Sequence, residues 1–498
     1  MTRYIYTPNS VSFEDIKNRE FNLSSSQYKK LVMPNPNFLF VRDFLTRKLQ
    51  RKDLGVEVGS LSYIDKSPYK FIRTKALQSY CYLPEINDDT ISSILPTDFI
   101  QMNLKKGDLL ISKDGNIGEI VILDKDYPNF MLSGAIYKLP VKDEWKYYLL
   151  AFIKHDIFRE QLDFMVPKGA TIRHAKDTFL DCKIPIPTSN KENVIKFISV
   201  LTEAIVNKEK LIKQRHSEMM RIIATEIMEN QKPRDFIYRL PQIDEIKQVG
   251  RLDASLYKVF FKEGMFPVLN YIHGCRPLTE QQLELKPGPS LEVKLLGTRI
   301  DSRVPVKGFY RLITPKQITN RGVLKNDEYI GTPARIDRIK FGDILFGESG
   351  TGRTMVFLDQ DDMTINNAHA HILRSRLDND LNRIITIRSI LQYYKEIGIT
   401  DCLTVGGAGG HLSPSYFDRI MVPNFPENRQ EEIAKMYYSE KEYNTSGFSL
   451  DNFIQKDNDY NFDAGIYELD KTAKQLKTIL NNSINNIVNS EEVNIHFC

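Results

Sequence analysis

Leu104 to Val121 reads LKKGDLLISKDGNIGEIV, and Ile339 to Val356 reads IKFGDILFGESGTGRTMV. The chain says the same thing twice, about half its length apart. In each copy a Gly-Asp pair, Gly107-Asp108 or Gly342-Asp343, opens an aliphatic run, GDLLIS or GDILFG. Its alternation fits a half-buried strand. Lys113-Asp114-Gly115-Asn116 and Glu348-Ser349-Gly350-Thr351 then read as hairpin turns, because glycine supplies the positive φ such turns need. A further strand follows each turn, EIVILD and TMVFLD. Two similar β-rich domains are expected, with helices such as Tyr147 to Asp163 and Leu381 to Lys395 added to them.

Downstream the parallel continues. Each copy reaches a small-residue loop and then an aliphatic-proline stop: GATIRHAKDTFLDCKIPIP from Gly169, and GAGGHLSPSYFDRIMVPNFP from Gly407. Between the copies, Lys191 to Glu229 holds no glycine or proline. Val194, Ile198, Leu201, Ile205, Ile212, Met219 and Ile222 recur at helical steps, one seam of a helix roughly 58 Å long. Asn190 is placed to cap its start, and Lys232-Pro233 ends it. Lys208 and Arg215 interrupt the seam. The alternative to a spacer is a helix buried against its own domain. After the second stop a helix begins at Asn428, is expected to break around Asn444 to Asp459, and resumes with Leu469, Leu476, Ile479, Leu480, Ile484 and Ile487. These pieces are placed to lie antiparallel beside the central helix. A second helix so interrupted is not expected to cover the whole apolar seam.

A short motif marks each junction: Leu23-Ser-Ser-Ser-Gln-Tyr28, Leu252-Asp-Ala-Ser-Leu-Tyr257 and Phe462-Asp-Ala-Gly-Ile-Tyr467. This implies a cyclic organisation in which the last segment closes against the first.

The bulk properties exclude several classes. A chain of 498 residues argues for two or more domains. Apolar content of 41% and charged content of 27% are those of a soluble globular protein. No stretch approaches the ~18 apolar residues of a membrane span, and MTRYIYTPNS lacks a signal-peptide core. Cys81, Cys182, Cys275, Cys402 and Cys498 stand singly, which fits reduced thiols in the cytoplasm and no metal knuckle. A net charge of +4 permits nucleic-acid binding only if the positive charge gathers on one face.

No catalytic constellation is legible. Asn35-Pro36-Asn37-Phe38 lacks the second proline of an amino-methyltransferase loop and reads as a plain loop. Asp244-Glu245-Ile246-Lys247 contains an E-x-K triplet, but its flanks suggest a linker rather than a nuclease site. No GxxxxGK[ST] loop occurs. His369 and His371 would share one face of a strand, without the companions a metal needs.

The GDLLISKDGNIG and GDILFGESGTG strands, the GATIRH and GAGGHLSP loops, and the RLDASLY junction resemble the specificity subunit of a type I DNA restriction-modification enzyme. The order domain, helix, domain, helix matches as well. The resemblance implies an α/β (α+β) fold with two pseudo-repeated β-rich target-recognition domains, separated by long helices that pair as a spacer. Residues 1–189 and 233–427 would be the recognition domains, 190–232 the central helix and 428–498 a C-terminal helical region. It implies a non-catalytic, cytoplasmic, phage-defence protein that binds double-stranded DNA and docks two methyltransferase subunits. Those partners would carry AdoMet, and a motor-nuclease restriction subunit is a further partner. GAGGHLSP departs from the family's usual loop opening, and the C-terminal helix is interrupted. A standalone DNA-binding regulator, or the specificity factor of another phage-defence methyltransferase system, is the alternative.

Arginine and lysine neutralise phosphates, while Arg, Asn, Gln and His read base edges. Loop positions beside rigid strands are the candidates for both. In the first half they are Arg73, Lys75, Lys113, Asn116, Lys168, Arg173 and His174. In the second they are Arg299, Arg303, Arg311, Lys316, Arg353 and His411.

Overall fold

The computed structural model describes residues 4–18, 21, 23, 25–166, 176–252, 254–348, 352–361, 363–378, 380–405 and 410–497. The chain divides into two compact units. Unit 1 holds Met1–Lys210, Tyr443–Phe462 and Lys471–Cys498, and unit 2 holds Leu211–Glu442 and Asp463–Asp470. Among the described residues no helix is long and apolar enough to cross a membrane.

Unit 1 contains β1 (Ile5–Tyr6), β2 (Lys30–Leu31), β3 (Phe38–Phe40), β4 (Lys70–Ile72), β5 (Ile91–Ser93), β6 (Leu109–Ser112), β7 (Ile120–Ile122), β8 (Phe130–Leu132), β9 (Ile136–Leu139) and β10 (Lys183–Pro185). Unit 2 contains β11 (Cys275–Pro277), β12 (Leu283–Lys286), β13 (Ile300–Ser302), β14 (Tyr310–Ile313), β15 (Glu328–Gly331), β16 (Ile344–Gly347), β17 (Thr354–Val356), β18 (Thr364–Asn366), β19 (Ala370–Ser375) and β20 (Met421–Pro423). The same three sheets occur in both. β10-β3 answers to β11-β20, β5-β4-β8 to β13-β15-β14-β18, and β7-β6-β9 to β12-β19-β16-β17. Within the second sheet, β4 and β8 run parallel, and so do β14 and β18. Unit 2 adds β12 and β13 at the sheet edges.

The Gly-Asp pair makes the same turn in each unit. Gly107 and Gly342 both take φ +84°, a left-handed conformation open to glycine. The Asp108 carboxylate accepts from the Lys105 N–H at 2.8 Å, and Asp343 accepts from the Lys340 N–H at 2.7 Å. Gly107 N–H donates to the Leu123 carbonyl and Gly342 N–H to that of Phe357, both at 2.8 Å. The expected strands and their antiparallel pairing are present, with Leu109 opposite Ile122 and Ile344 opposite Val356.

The helices correct several expectations. The stretch from Tyr147 is two helices, α2 (Lys146–Lys154) and α3 (Asp156–Met165). They part at His155, whose ring accepts the Ile157 N–H at 3.3 Å and so caps α3. The E-x-K triplet lies on a short helix, Ile243–Val249, not in a linker. The central helix spans Lys191–Glu229 as expected. Asn190, with φ +45°, offers its carbonyl to the Val194 N–H at 3.0 Å. The C-terminal break is shorter than expected, because helices cover Phe453–Asp463 and Ile466–Val488.

The apolar seam is covered, contrary to expectation. In unit 1, Val194, Ile198, Leu201 and Ile205 share one core with Leu476, Leu480, Ile484 and Ile487. Phe197 meets Phe497 edge-on at 5.1 Å, while Glu209 and Lys477 both bond the Tyr80–Leu83 stretch. The two helices therefore run antiparallel there. In unit 2, Ile212, Met219 and Ile222 are buried too. Lys208 is accommodated on the seam by partners: its Nζ lies 2.7 Å from Asp457 Oδ1 and 2.6 Å from Asn461 Oδ1, and 4.9 Å from the ring centres of both Tyr443 and Tyr460.

The termini close on each other within unit 1. The Tyr4 hydroxyl donates to Asn485 Oδ1 at 3.1 Å. Buried Asn35 donates to the carbonyls of Ile186 at 3.0 Å and Ile487 at 2.7 Å. The Asn-Pro-Asn-Phe string is thus a structural staple. Of the junction motifs, the first two contain matching short 3₁₀ turns, Ser25–Tyr28 and Ala254–Tyr257. The third is instead the break between two helices.

Candidate nucleic-acid interface

Because β4 and β8 are parallel, both end on the same edge of unit 1, and β14 with β18 does the same in unit 2. A short 3₁₀ turn follows the first strand of each pair: Thr74–Ala76 or Pro315–Gln317. The Gly-Asp hairpin packs beside the second; of its expected unit 2 turn, Ser349, Gly350 and Thr351 lie outside the described residues. Lys113 N–H donates to the Ala135 carbonyl at 2.8 Å, and Glu348 N–H to the His369 carbonyl at 2.9 Å. The loop also reaches the 3₁₀ turn. A Cβ on Gly115 would lie 3.6 Å from Thr74 Oγ1, and Arg353 Nη1 donates to the Ile318 carbonyl at 3.3 Å.

These contacts bring Arg73, Lys75, Lys113 and Asn116 to one edge of unit 1. Lys75 and Asn116 are exposed. Arg73 lies over the Tyr63 ring at 5.0 Å, and Lys113 pairs with Asp114 at 2.6 Å. In unit 2 the edge gathers Lys316, Arg353 and His411. Lys316 stands in the middle of its 3₁₀ turn as Lys75 does, with its side chain 74% exposed. Exposed His411 is tied in because the next residue, Leu412, donates to the Glu348 carbonyl at 2.9 Å. Exposed Arg303 follows Ser302, which pairs with Tyr329, so it belongs to this edge as well.

Two candidates stand elsewhere. Arg299 precedes the opposite end of β13, where it pairs with Asp301 at 2.9 Å and donates to the Leu291 carbonyl at 3.1 Å. Arg311 lies mid-strand, held by Asp327 at 2.8 Å and Asp359 at 2.6 Å. Those carboxylates raise its pKa despite the burial that opposes them, so its charge is matched inside the unit. Lys168, Arg173 and His174 lie outside the described residues.

The histidine pair does not share a strand face. His369 sits exposed in the turn before β19, and His371 is buried on the strand, with Nε2 3.4 Å from Glu348. Burial holds the His371 pKa below its ordinary value. Cys81, Glu85 and Glu209 do place ligand atoms within 4.8 Å of one another. Their atoms are otherwise engaged: Cys81 Sγ contacts Glu85 at 3.1 Å, and Glu209 accepts the Tyr82 and Leu83 N–H groups at 2.7 and 3.1 Å.

Sequence reasoning missed how the RLDASLY junction works. Arg251 donates to the carbonyls of Leu403 at 2.8 Å and Thr404 at 3.0 Å, at the foot of the segment that carries His411. The Tyr257 hydroxyl donates back to the Arg251 carbonyl at 2.7 Å. It also missed Glu57, whose neighbour Gly134 comes from a distant part of the chain.

Residues 60–214 match the family model described as "Type I restriction modification DNA specificity domain". No curated protein matches the chain. Among solved structures, the chain is similar to the type I restriction-modification S subunit from M. genitalium, at 12% identity, with 91% of this chain and 95% of that one covered and a TM-score of 0.38. The HsdS subunit from Thermoanaerobacter tengcongensis is also 12% identical, with 92% and 97% covered and a TM-score of 0.26.

Proposed function

We propose, from a chain whose residues 60–214 match the type I restriction modification DNA specificity domain model, that it reads a two-part, asymmetric DNA target for a methyltransferase complex. The observation that carries this reading is the repeated edge. In each unit a 3₁₀ turn and the residues flanking the hairpin loop meet at the end of a parallel strand pair, forming one cation-bearing surface. Rigid strands position it, so base-reading groups need little ordering on binding. Lys75 and Lys316, exposed at equivalent places, meet phosphates. The hairpin loops enter the major groove, where donor and acceptor patterns differ for every base pair. The half-sites differ because the loops differ. The central and C-terminal helices, which run through both units, set the gap.

The subunit itself is non-catalytic. Two methyltransferase subunits, carrying AdoMet, bind the chain, since a repeated domain and helix offers the same kind of surface twice. A motor-nuclease subunit is a further partner. The covered seam favours a second reading, a standalone DNA-binding regulator, because the seam offers no open apolar docking face. Co-expression with type I methyltransferase subunits, followed by native mass spectrometry, separates the two. The proposal expects one copy of this chain with two methyltransferases, and DNA methylation that requires both. A monomer that binds its DNA tightly and ignores the methyltransferase would favour the regulator.

A further inference from the structure

Behind each edge, a glycine lets another piece of chain press against the end of the parallel strand. In unit 1 it is Gly55, where a Cβ would fall 2.0 Å from the Ser133 carbonyl oxygen and 2.3 Å from that of Leu132. In unit 2 it is Gly288, where a Cβ would fall 1.8 Å from the Asn367 carbonyl oxygen. Only glycine permits so close an approach. Gly55 N–H donates to Ile136 and Val56 N–H to Leu132, both at 2.9 Å, so the following residue is fixed in place. That residue is Glu57 in unit 1, and its counterpart in unit 2 is Ser290.

The strand ends correspond as well. Ala135 and His369 receive the equivalent hairpin N–H groups, so Gly134 answers to Ala368. The Glu57 carboxylate lies over Gly134: a Cβ there would meet Oε1 at 2.4 Å and Cδ at 2.9 Å. Unit 1 thus sets a long carboxylate over a glycine, while the corresponding positions of unit 2 are Ser290 and Ala368. Glu57 is exposed, and among the described residues no cation pairs with it. Yet it shares an edge with Arg73, Lys75 and Lys113. Beside phosphates an unpaired carboxylate is repelled unless it accepts a hydrogen bond that offsets the repulsion. In the major groove the donors are the N4 amino group of cytosine and the N6 amino group of adenine.

We propose that Glu57 is a specificity-determining residue. It accepts a hydrogen bond from the exocyclic amino group of a cytosine or adenine in the half-site read by unit 1. Ser290, at the same place in unit 2, helps make the other half-site different. The inference rests on the DNA-reading function proposed above.

The test is binding by the full complex with its methyltransferase, on the cognate duplex and on duplexes changed at one position each. Glu57→Ala should weaken cognate binding roughly 5- to 150-fold and remove discrimination at one position of one half-site. The other half-site and random DNA should be unaffected. Replacing the contacted base by purine or 2-pyrimidinone, which lack the amino group, should weaken the wild type but not Glu57→Ala further. Glu57→Gln keeps an accepting oxygen and should retain part of the discrimination. Gly134→Ala, which displaces the carboxylate, should copy Glu57→Ala. An equal change on every duplex, tighter or weaker, would overturn the assignment. A wild-type complex that binds all duplexes alike would overturn the DNA reading and this inference with it.

Discussion

The Gly107-Asp108 turn of unit 1 and the Gly342-Asp343 turn of unit 2 have the same backbone bonds but different surroundings. Asp108 keeps 22% of its side chain exposed and meets Lys138 at 3.3 Å. Asp343 is 1% exposed and takes a two-pronged bond from Arg374, at 2.7 and 2.6 Å. The glycine and the carboxylate-to-backbone bond are what the turn requires, and both units have them. The cation is a response to burial. A shallow carboxylate tolerates a lysine at a distance, while a deep one needs the planar fork of arginine. The candidate edges show the same division, with a shared backbone and side chains free to differ.

The largest expected effect follows from that contrast. Arg374→Ala leaves Asp343 buried without its partner and should cost about 3–5 kcal/mol. Lys138→Ala removes a solvent-screened contact and should cost less than ~1 kcal/mol. Denaturation midpoints followed by hydrogen exchange in each unit measure both. Equal losses would mean that burial does not set the difference.

A pH difference sharpens the comparison. His216, on the central helix in unit 2, has Nε2 2.7 Å from Glu396. Burial holds its pKa below the ordinary value, with Arg388 and Arg321 adding to the shift and Glu396 opposing it. The unfolded chain therefore takes up a proton near pH 6.5 that the folded chain refuses. Stability from this site is full above that pH and falls as the pH drops toward the depressed value. Glu396, held below the ordinary carboxylate range chiefly by its hydrogen bond to His216, against its burial, adds a loss at still lower pH. Protection of the Leu211–Glu229 amides, corrected for the intrinsic pH dependence of exchange, should fall between neutral and mildly acid pH. His216→Phe should flatten the histidine part of that response; an unchanged profile would remove His216 as its source.

The smallest effects concern DNA. Lys75→Ala and Lys316→Ala should each weaken binding to all sequences alike and reduce the salt slope by about one unit. Lys113→Ala should do less, because its ammonium is engaged by Asp114 at 2.6 Å. Unequal slopes for Lys75 and Lys316 would show that the two edges do not meet the backbone equivalently.

Much of the fold was legible because its signals are local. GDLLIS and GDILFG alternate over a few residues, and the central helix runs between a cap and a proline without an internal breaker. The misses came where the deciding partner is distant. Asn444 to Asp459 looks too polar for a helix, yet Asp457 and Asn461 are the groups that hold buried Lys208. His155 interrupts a helical pattern because its ring caps the next helix. At the interface, the 3₁₀-turn and hairpin positions were readable from their place beside strands. Arg311 was misjudged because Asp327 and Asp359 reach it from other parts of the chain. Glu57 was passed over because its setting is made by the missing Cβ of Gly134.

The central claim is that two similar units read two different half-sites. Mapping methylated bases across the DNA of a host that carries this chain with its methyltransferase tests it most directly. The account predicts one motif made of two unlike short sequences, separated by a gap of fixed length and free composition. A single continuous palindrome would contradict it.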